Sequence, residues 1–195
     1  MSNASNVTNM LRQSLEEHLQ AMNSVLESGL AKIESSGRVI CDALAAGNKI
    51  LLCGNGGSAA DAQHIAAELV GRYEDQRRPY PAISLTTDTS AMTALSNDFG
   101  YEEVFARQVQ ALASPGDVLI AISTSGKSPN VVRAAESARS LGCKVIGLTG
   151  WHAEPLADYC FITVQVLSER TARVQEGHIT IGHLWCEMVD EILRK

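Results

Sequence analysis

The side chains best suited to chemistry fall in three short stretches. In the first, GNGGSAADAQHIAAELVGRY, His64 and Glu68 stand four residues apart. On a helix that spacing puts both on one face, so an imidazole and a carboxylate can meet one metal or one substrate. Just before them Gly54, Asn55, Gly56, Gly57 and Ser58 form a loop with little side-chain bulk. Backbone N–H groups at the start of the following helix suit an anionic or polyhydroxyl ligand. In the second stretch Ser123, Thr124, Ser125 and Ser128 gather four hydroxyls around Gly126 and Lys127, ahead of Pro129. That is more than one helix cap requires, and such a loop can wrap a phosphate without a dedicated arginine. The third stretch, RVQEGHITIGH, carries Gln175, His178 and His183. At about 100° per residue, Gln175 and His183 lie about 80° and two turns apart and can face one cavity, whereas His178 and His183 differ by about 140° and do not serve one site.

Two look-alikes are set aside. GNGGS is not the G-x-G-x-x-G of dinucleotide folds, and AISTSGKS lacks the first glycine of a nucleotide-binding P-loop, with Ala121 inside a strand at that position. A His and a Glu at helical spacing are also compatible with a plain polar pair, and Asn97 and Asp98 in SNDFG with either contacts to sugar hydroxyls or a simple turn.

The elements that must position these groups read as alternating strands and helices. Ile50 to Cys53 and Asp117 to Ile122 are continuous apolar runs, the mark of strands buried on both faces. Ala82 to Leu85, Lys144 to Leu148 and Tyr159 to Val164 supply three more strands. Helices are expected after each loop, over Thr86 to Ser96, over Tyr101 to Ala113, and over Arg170 to Leu193, with a turn at Asn97–Gly100. Leu11, Leu15, Leu19, Met22, Val25, Leu26, Leu30 and Ile33 recur at helical spacing and predict a long amphipathic helix after a frayed Met1–Met10. A second helix is expected from Ser36 to Ala46, ended by Gly47. A long helix with no strand partner of its own needs another surface to cover, which points to an oligomer interface. The expected fold is therefore α/β, a three-layer αβα sandwich on a five-stranded parallel sheet, as one domain over 1–195 with extra N-terminal helices over 8–46. Ligands bind such folds at the carboxyl ends of strands, where both loops lie.

Composition narrows the function. The chain of 195 residues is 45% apolar and 19% charged, ordinary for a globular domain with a real core. A net charge of −6 gives no electrostatic case for nucleic acid or an anionic membrane. No apolar run approaches the ~20 residues of a membrane span, and no signal-peptide core is visible at the N-terminus. The five cysteines, Cys41, Cys53, Cys143, Cys160 and Cys186, lack C-x-x-C spacing, and four sit in apolar segments. They read as buried thiols of a cytoplasmic enzyme.

Taken in order, GNGGSAADAQHIAAELVGRY, SNDFG, ISTSGKS and RVQEGHITIGH resemble the phosphoheptose isomerases of the sugar-isomerase (SIS) fold over nearly the whole chain. The resemblance implies a cytoplasmic homotetramer. It would convert sedoheptulose 7-phosphate to glycero-manno-heptose 7-phosphate, the first step towards ADP-heptose for the lipopolysaccharide core. It assigns His64, Glu68, Gln175 and His183 to one zinc ion per subunit. It assigns Asn55, Gly56, Gly57, Asn97 and Asp98, with Glu68 and Gln175, to the sugar, and Ser123, Thr124, Ser125 and Ser128 to the phosphate. Glu68 takes the place of the catalytic base and His183 of the acid. Lys127 stands where a small polar residue is expected. Two other readings share the fold: a metal-free tetrameric scaffold for the chromosome-replication initiator, and a metal-free isomerase of pentose or hexose phosphates. Neither would need both the Glu68 carboxylate and the His183 imidazole.

Overall fold

The structure is a computed structural model that describes residues 2–194. Five parallel strands, β1 (Ile50–Gly54), β2 (Ala82–Ser84), β3 (Val118–Ile122), β4 (Lys144–Thr149) and β5 (Ile162–Gln165), form one sheet in the order β2-β1-β3-β4-β5. Register runs in step through the centre, with Ile50 beside Val118 and Gly54 beside Ile122. Both central runs are buried along their whole length, as continuous apolar strands must be when helices cover both faces.

Alternation within β1 sorts its side chains between two cores. Ile50 and Leu52 pack on the face covered by α2 (Leu30–Ala45), α3 (Gly57–Val70) and α7 (Thr171–Ile192), with Ile40, Leu44, Ile65 and Trp185. Leu51 and Cys53 pack on the opposite face with Phe105 of α5 (Val104–Leu112) and Val131, Ala134 and Ala138 of α6 (Pro129–Ser140). This is the three-layer sandwich expected. Between β2 and α5 lie α4 (Thr89–Phe99) and a 3₁₀ turn, Tyr101–Glu103.

Three local expectations are corrected. The N-terminal helices are present, but they begin at Ser2 rather than near residue 8 and run on without a break, through α1 (Ser2–Ser24), a π-helical turn at Val25–Gly29 and α2. No break occurs at Ser35–Ser36, because each hydroxyl bonds back to a carbonyl four residues earlier, at 2.7 Å, and stays within the helix. Asn97 and Asp98 are not a turn but the last turn of α4; the reversal falls at Gly100, where φ is +87°. Tyr159 belongs to a 3₁₀ turn, Leu156–Tyr159, ahead of β5. The fifth-strand reading began too early because that turn also carries apolar residues. Gly47, at φ +85°, does end α2 as expected.

The N-terminal helices are tied to α7. The Trp185 indole is buried and donates to Ser36 Oγ at 3.0 Å and to the Ile33 carbonyl at 3.2 Å. Further along, His18 Nδ1 lies 2.8 Å from Glu176 Oε2, and Arg170 pairs with Glu17.

Candidate active site

The strand order reverses direction between β1 and β3, since the chain leaves β1 for β2 on one side and returns to β3 on the other. Such a switch opens a crevice at the carboxyl ends of the two strands. The glycine loop follows β1 and the serine loop follows β3, so these neighbours line one crevice.

The glycine loop turns through Gly56, at φ +55°, a conformation that favours glycine, and α3 begins at Gly57. A Cβ at Gly57 would overlap Gln175 Nε2, so a side chain there would push the Gln175 carboxamide aside. Two turns further along both helices, His64 Nε2 and His183 Nε2 face each other at 2.8 Å, and Glu68 Oε1 is 3.5 Å from His64 Nε2. The structure thus brings His64, Glu68 and His183 together. It places Gln175 at the other level of the α3–α7 pair, about 12 Å along the axis from His183 at 1.5 Å per residue. His178 is buried, as its angle to His183 implies. Its Nε2 lies 3.0 Å from the Thr149 carbonyl, and burial pushes its pKa down to about 4.

Glu68 is steadied from behind. Arg77 donates to the Glu68 carbonyl at 2.8 Å and to the Leu69 carbonyl at 3.0 Å, a cation at the C-terminal end of α3 where the helix dipole favours one. Its Nε also donates to Asp190 of α7 at 2.5 Å. Burial alone would raise the Asp190 carboxyl, but Arg77 and the backbone N–H groups of Glu74 and Asp75 outweigh it and hold it below the usual range. One buried ion pair therefore links the helix of Glu68 to the helix of His183.

At the other end of the crevice, Ser123 Oγ donates to Ser128 Oγ at 3.0 Å and Ser125 Oγ accepts the Lys127 backbone N–H at 3.2 Å. Gly126, at φ +68°, packs against the backbone of His152 and Ala153, which fixes the loop's shape. Ser125 and Lys127 are exposed, while Thr124 and Ser128 are half-buried. Asn97 and Asp98 are exposed and bond to each other at 2.8 Å. Tyr101, just past Gly100, carries that end of α4 to the glycine loop through a 2.9 Å hydrogen bond to Asn55 Oδ1.

Several residues at the site escaped the sequence reading. Tyr101, Asn130 and Arg77 act through contacts distant in sequence that no local pattern announces. Asp61 had a signal, a charged residue on the inward side of α3. Its Oδ2 is buried without a partner, and burial raises its pKa to about 6.

The donor set bears on a metal. Among the described residues no group of three or more His, Cys, Asp or Glu side chains forms a ready-made metal site. Two imidazoles and a carboxylate are nevertheless ligands that zinc accepts. With Zn–N near 2.0–2.1 Å, tetrahedral donors sit about 3.3 Å apart, so His64 and His183 need part by only about half an ångström. The cysteines offer no competing site. Cys41, Cys53, Cys143 and Cys186 are buried, and burial raises the Cys53 and Cys186 thiols to about 12.

The chain and its fold have relatives among known proteins. Residues 14–150 match the SIS domain family. A phosphoheptose isomerase of Aliarcobacter butzleri is 53% identical over 176 residues, which span 90% of this chain and 93% of the relative. The structure of phosphoheptose isomerase GmhA from Neisseria gonorrhoeae superposes with a TM-score of 0.90 at 39% identity, covering 95% of this chain and 99% of that one. That of a phosphoheptose isomerase from Francisella tularensis gives 0.92 at 35% identity, covering 95% and 98%. With fold and sequence in agreement, the chain belongs to the phosphoheptose isomerases, enzymes of the SIS-domain family that isomerise sugar phosphates.

Proposed function

We propose that the substrate is sedoheptulose 7-phosphate and the product glycero-manno-heptose 7-phosphate, the first step towards ADP-heptose for the lipopolysaccharide core. The observation that carries this reading is the meeting of His64, Glu68 and His183 on α3 and α7, in a crevice whose other end is the serine loop. A seven-carbon chain with phosphate among Ser123, Thr124, Ser125 and Ser128 would run past Asn55, Gly56, Gly57, Asn97 and Asp98 towards the Glu68 carboxylate.

The chemistry follows from what an aldose–ketose exchange needs. Glu68 removes the proton from C1, the electron pair forms the C1–C2 double bond of a cis-enediol, and the proton returns at C2. His183 moves a proton between O1 and O2, so that the carbonyl passes from C2 to C1. Gln175, against the glycine loop, holds the chain in place. His64, Glu68 and His183 would hold one zinc ion; Gln175, whose carboxamide lies against Gly57 in this structure, would have to swing away from the loop to serve as a weaker fourth ligand. When bound, zinc polarises the oxygens on which charge develops. A scaffold for the replication initiator has no use for this cluster.

Assembly as a homotetramer is part of the same proposal. Val7, Leu11, Leu15, Leu19, Leu26 and Leu30 are each half or more exposed along α1, the π-helical turn and the start of α2, an apolar stripe that subunit packing would cover. No helix among the described residues is long and apolar enough to cross a membrane. A cytoplasmic location remains the companion expectation, resting on the buried thiols. The deciding experiment is a coupled assay with sedoheptulose 7-phosphate, run with and without chelator, alongside light scattering. Isomerisation that stops on chelation and returns with zinc is expected from a tetramer. Full turnover by metal-free protein would remove the metal from the proposal, and no turnover at all would remove the substrate.

A further inference from the structure

Asn130 has no place in the reading above, yet it is 2% exposed and sits directly behind the glycine loop. Its carboxamide and that of Asn55 form a closed pair. Asn55 Nδ2 donates to Asn130 Oδ1 at 2.9 Å, and Asn130 Nδ2 donates to Asn55 Oδ1 at 2.9 Å. A carboxamide's oxygen and nitrogen are alike in shape, so a closed pair could equally run the other way round unless something outside it sets its direction.

The backbone sets it. The Val131 N–H can only donate, and it is shared between the Ser128 carbonyl at 3.1 Å and Asn130 Oδ1 at 3.0 Å, so an NH₂ turned to that side would face another donor. Asn130 must therefore turn its oxygen to that side and present its NH₂ to Asn55. Asn55 must answer with its oxygen. The Tyr101 hydroxyl lies 2.9 Å from the same Asn55 Oδ1. A carboxamide oxygen accepts and never donates, so Tyr101 gives its one proton to Asn55. The groups left over are then defined. Asn55 keeps one free N–H, and Tyr101, 53% exposed as a residue, keeps its oxygen lone pairs.

We propose that Asn130 is a positioning residue that sets the hydrogen-bonding polarity of the sugar end of the crevice. Through it, Asn55 offers a donor to a substrate oxygen and Tyr101 offers an acceptor to a substrate hydroxyl. The ligand class this suits is the polyol chain of a sugar phosphate, and the proposal rests on the sugar-phosphate reading above. Asn130 touches no ligand itself. It lies in the first turn of α6, directly after the serine loop, so the pair also ties the two loops together.

The test measures binding of sedoheptulose 7-phosphate and of inorganic phosphate by calorimetry, with turnover assayed separately. Asn130→Ala should weaken sugar-phosphate binding about tenfold, the scale of one lost hydrogen bond, and change phosphate binding by less than about twofold, since phosphate reads only the serine loop. Asn130 and Asn55 act as one unit, so the Asn55→Ala, Asn130→Ala double variant should be no weaker than the weaker single variant. Tyr101→Phe, at an exposed position, should weaken sugar-phosphate binding about threefold and leave phosphate alone. Thermal melts check folding; Asn130→Ser, whose hydroxyl can still accept from Val131, replaces the alanine variant if that does not fold.

Equal losses for both ligands would overturn the proposal, because the pair would then merely hold the loops. Additive losses, or unchanged binding, would overturn it as well. Wild-type protein that binds sugar phosphate no better than inorganic phosphate would overturn it whether or not turnover is seen. Tight sugar-phosphate binding without turnover would defeat the isomerase reading alone, and the affinities would still decide the role of Asn130.

Discussion

The two crevice turns are built alike and equipped differently. Each is a fully buried central strand, a small-residue loop through one positive-φ glycine, and a helix N-terminus. After β1, the loop's side chains leave the backbone open, and the helix brings His64 and Glu68 one and two turns beyond Asp61. After β3, the hydroxyls bond among themselves and to the loop's backbone, and the first two turns of α6 carry Arg133 and Glu136 as their only titratable residues. Under the proposed function the serine turn holds the phosphate, and its loop has Lys127 but no imidazole or carboxylate. The glycine turn carries the proton-moving groups on its helix and meets the sugar through Asn55 and its backbone. One scaffold, used twice, would separate the chemistry from the grip on phosphate.

The separation predicts effects of very different size. Glu68→Gln keeps the volume and removes the basic oxygen, so it should cut kcat about a thousandfold, within the usual span for a lost general base. Exchange of the C1 proton with deuterated water should stop while sugar phosphate still binds. Zinc content must be measured in the same sample. Metal-replete variant that exchanges at nearly the native rate would show Glu68 to be a ligand only. His183→Gln should cost about a hundredfold in net isomerisation, yet carbon exchange should persist slowly, since the base is intact. Loss of both together would merge the two roles.

On the serine side, Ser125→Ala should raise KM about tenfold and leave kcat nearly unchanged, because the phosphate end is bound equally before and during reaction. A fall in kcat at constant KM would place this loop at the reacting carbons and erase the distinction. The smallest effect belongs to Asp61. Its folded pKa of about 6 lies above the ordinary 3.8, so the carboxyl costs no stability below about pH 4 and its full penalty above about pH 6. Asp61→Asn should raise Tm by about 2–4 °C at pH 7.5, the shift of roughly 1 kcal/mol in a chain this size, and by less at pH 4.5. Equal gains at both pH values would mean that the carboxyl is not the source.

How far the sequence could be read follows the range of the interactions. The strands ILLC and DVLIAI were legible because burial on both faces leaves an unbroken apolar run. The loops were legible because small residues after such a run have few other uses. The meeting of His64 with His183 was only half legible. Helical angles place Gln175 and His183 on related faces, but only the parallel packing of α3 on α7 shows that Gln175 meets Gly57 and His183 meets His64. Asn130 and Tyr101 were not legible at all. They lie 75 and 46 residues from Asn55, and nothing local marks an asparagine in a helix's first turn as one half of an amide pair. The continuity of the N-terminal helices is not legible either: a fresh helix is expected from Ser36, while the back-bonds of Ser35 and Ser36 keep both within one run.

The Trp185 anchor gives the molecule a built-in optical probe. The chain has two tryptophans; Trp185 is buried with its N–H shared between Ser36 and the Ile33 carbonyl, and Trp151 is 53% exposed. Their emission should differ in colour, the buried indole towards the blue and the exposed one towards the red. With Trp151 changed to phenylalanine, the remaining fluorescence would report on a single junction, the seating of the N-terminal helices on the helix that carries His183. A red shift before the sheet melts would reveal that these helices peel away first, and would time that event against the loss of activity.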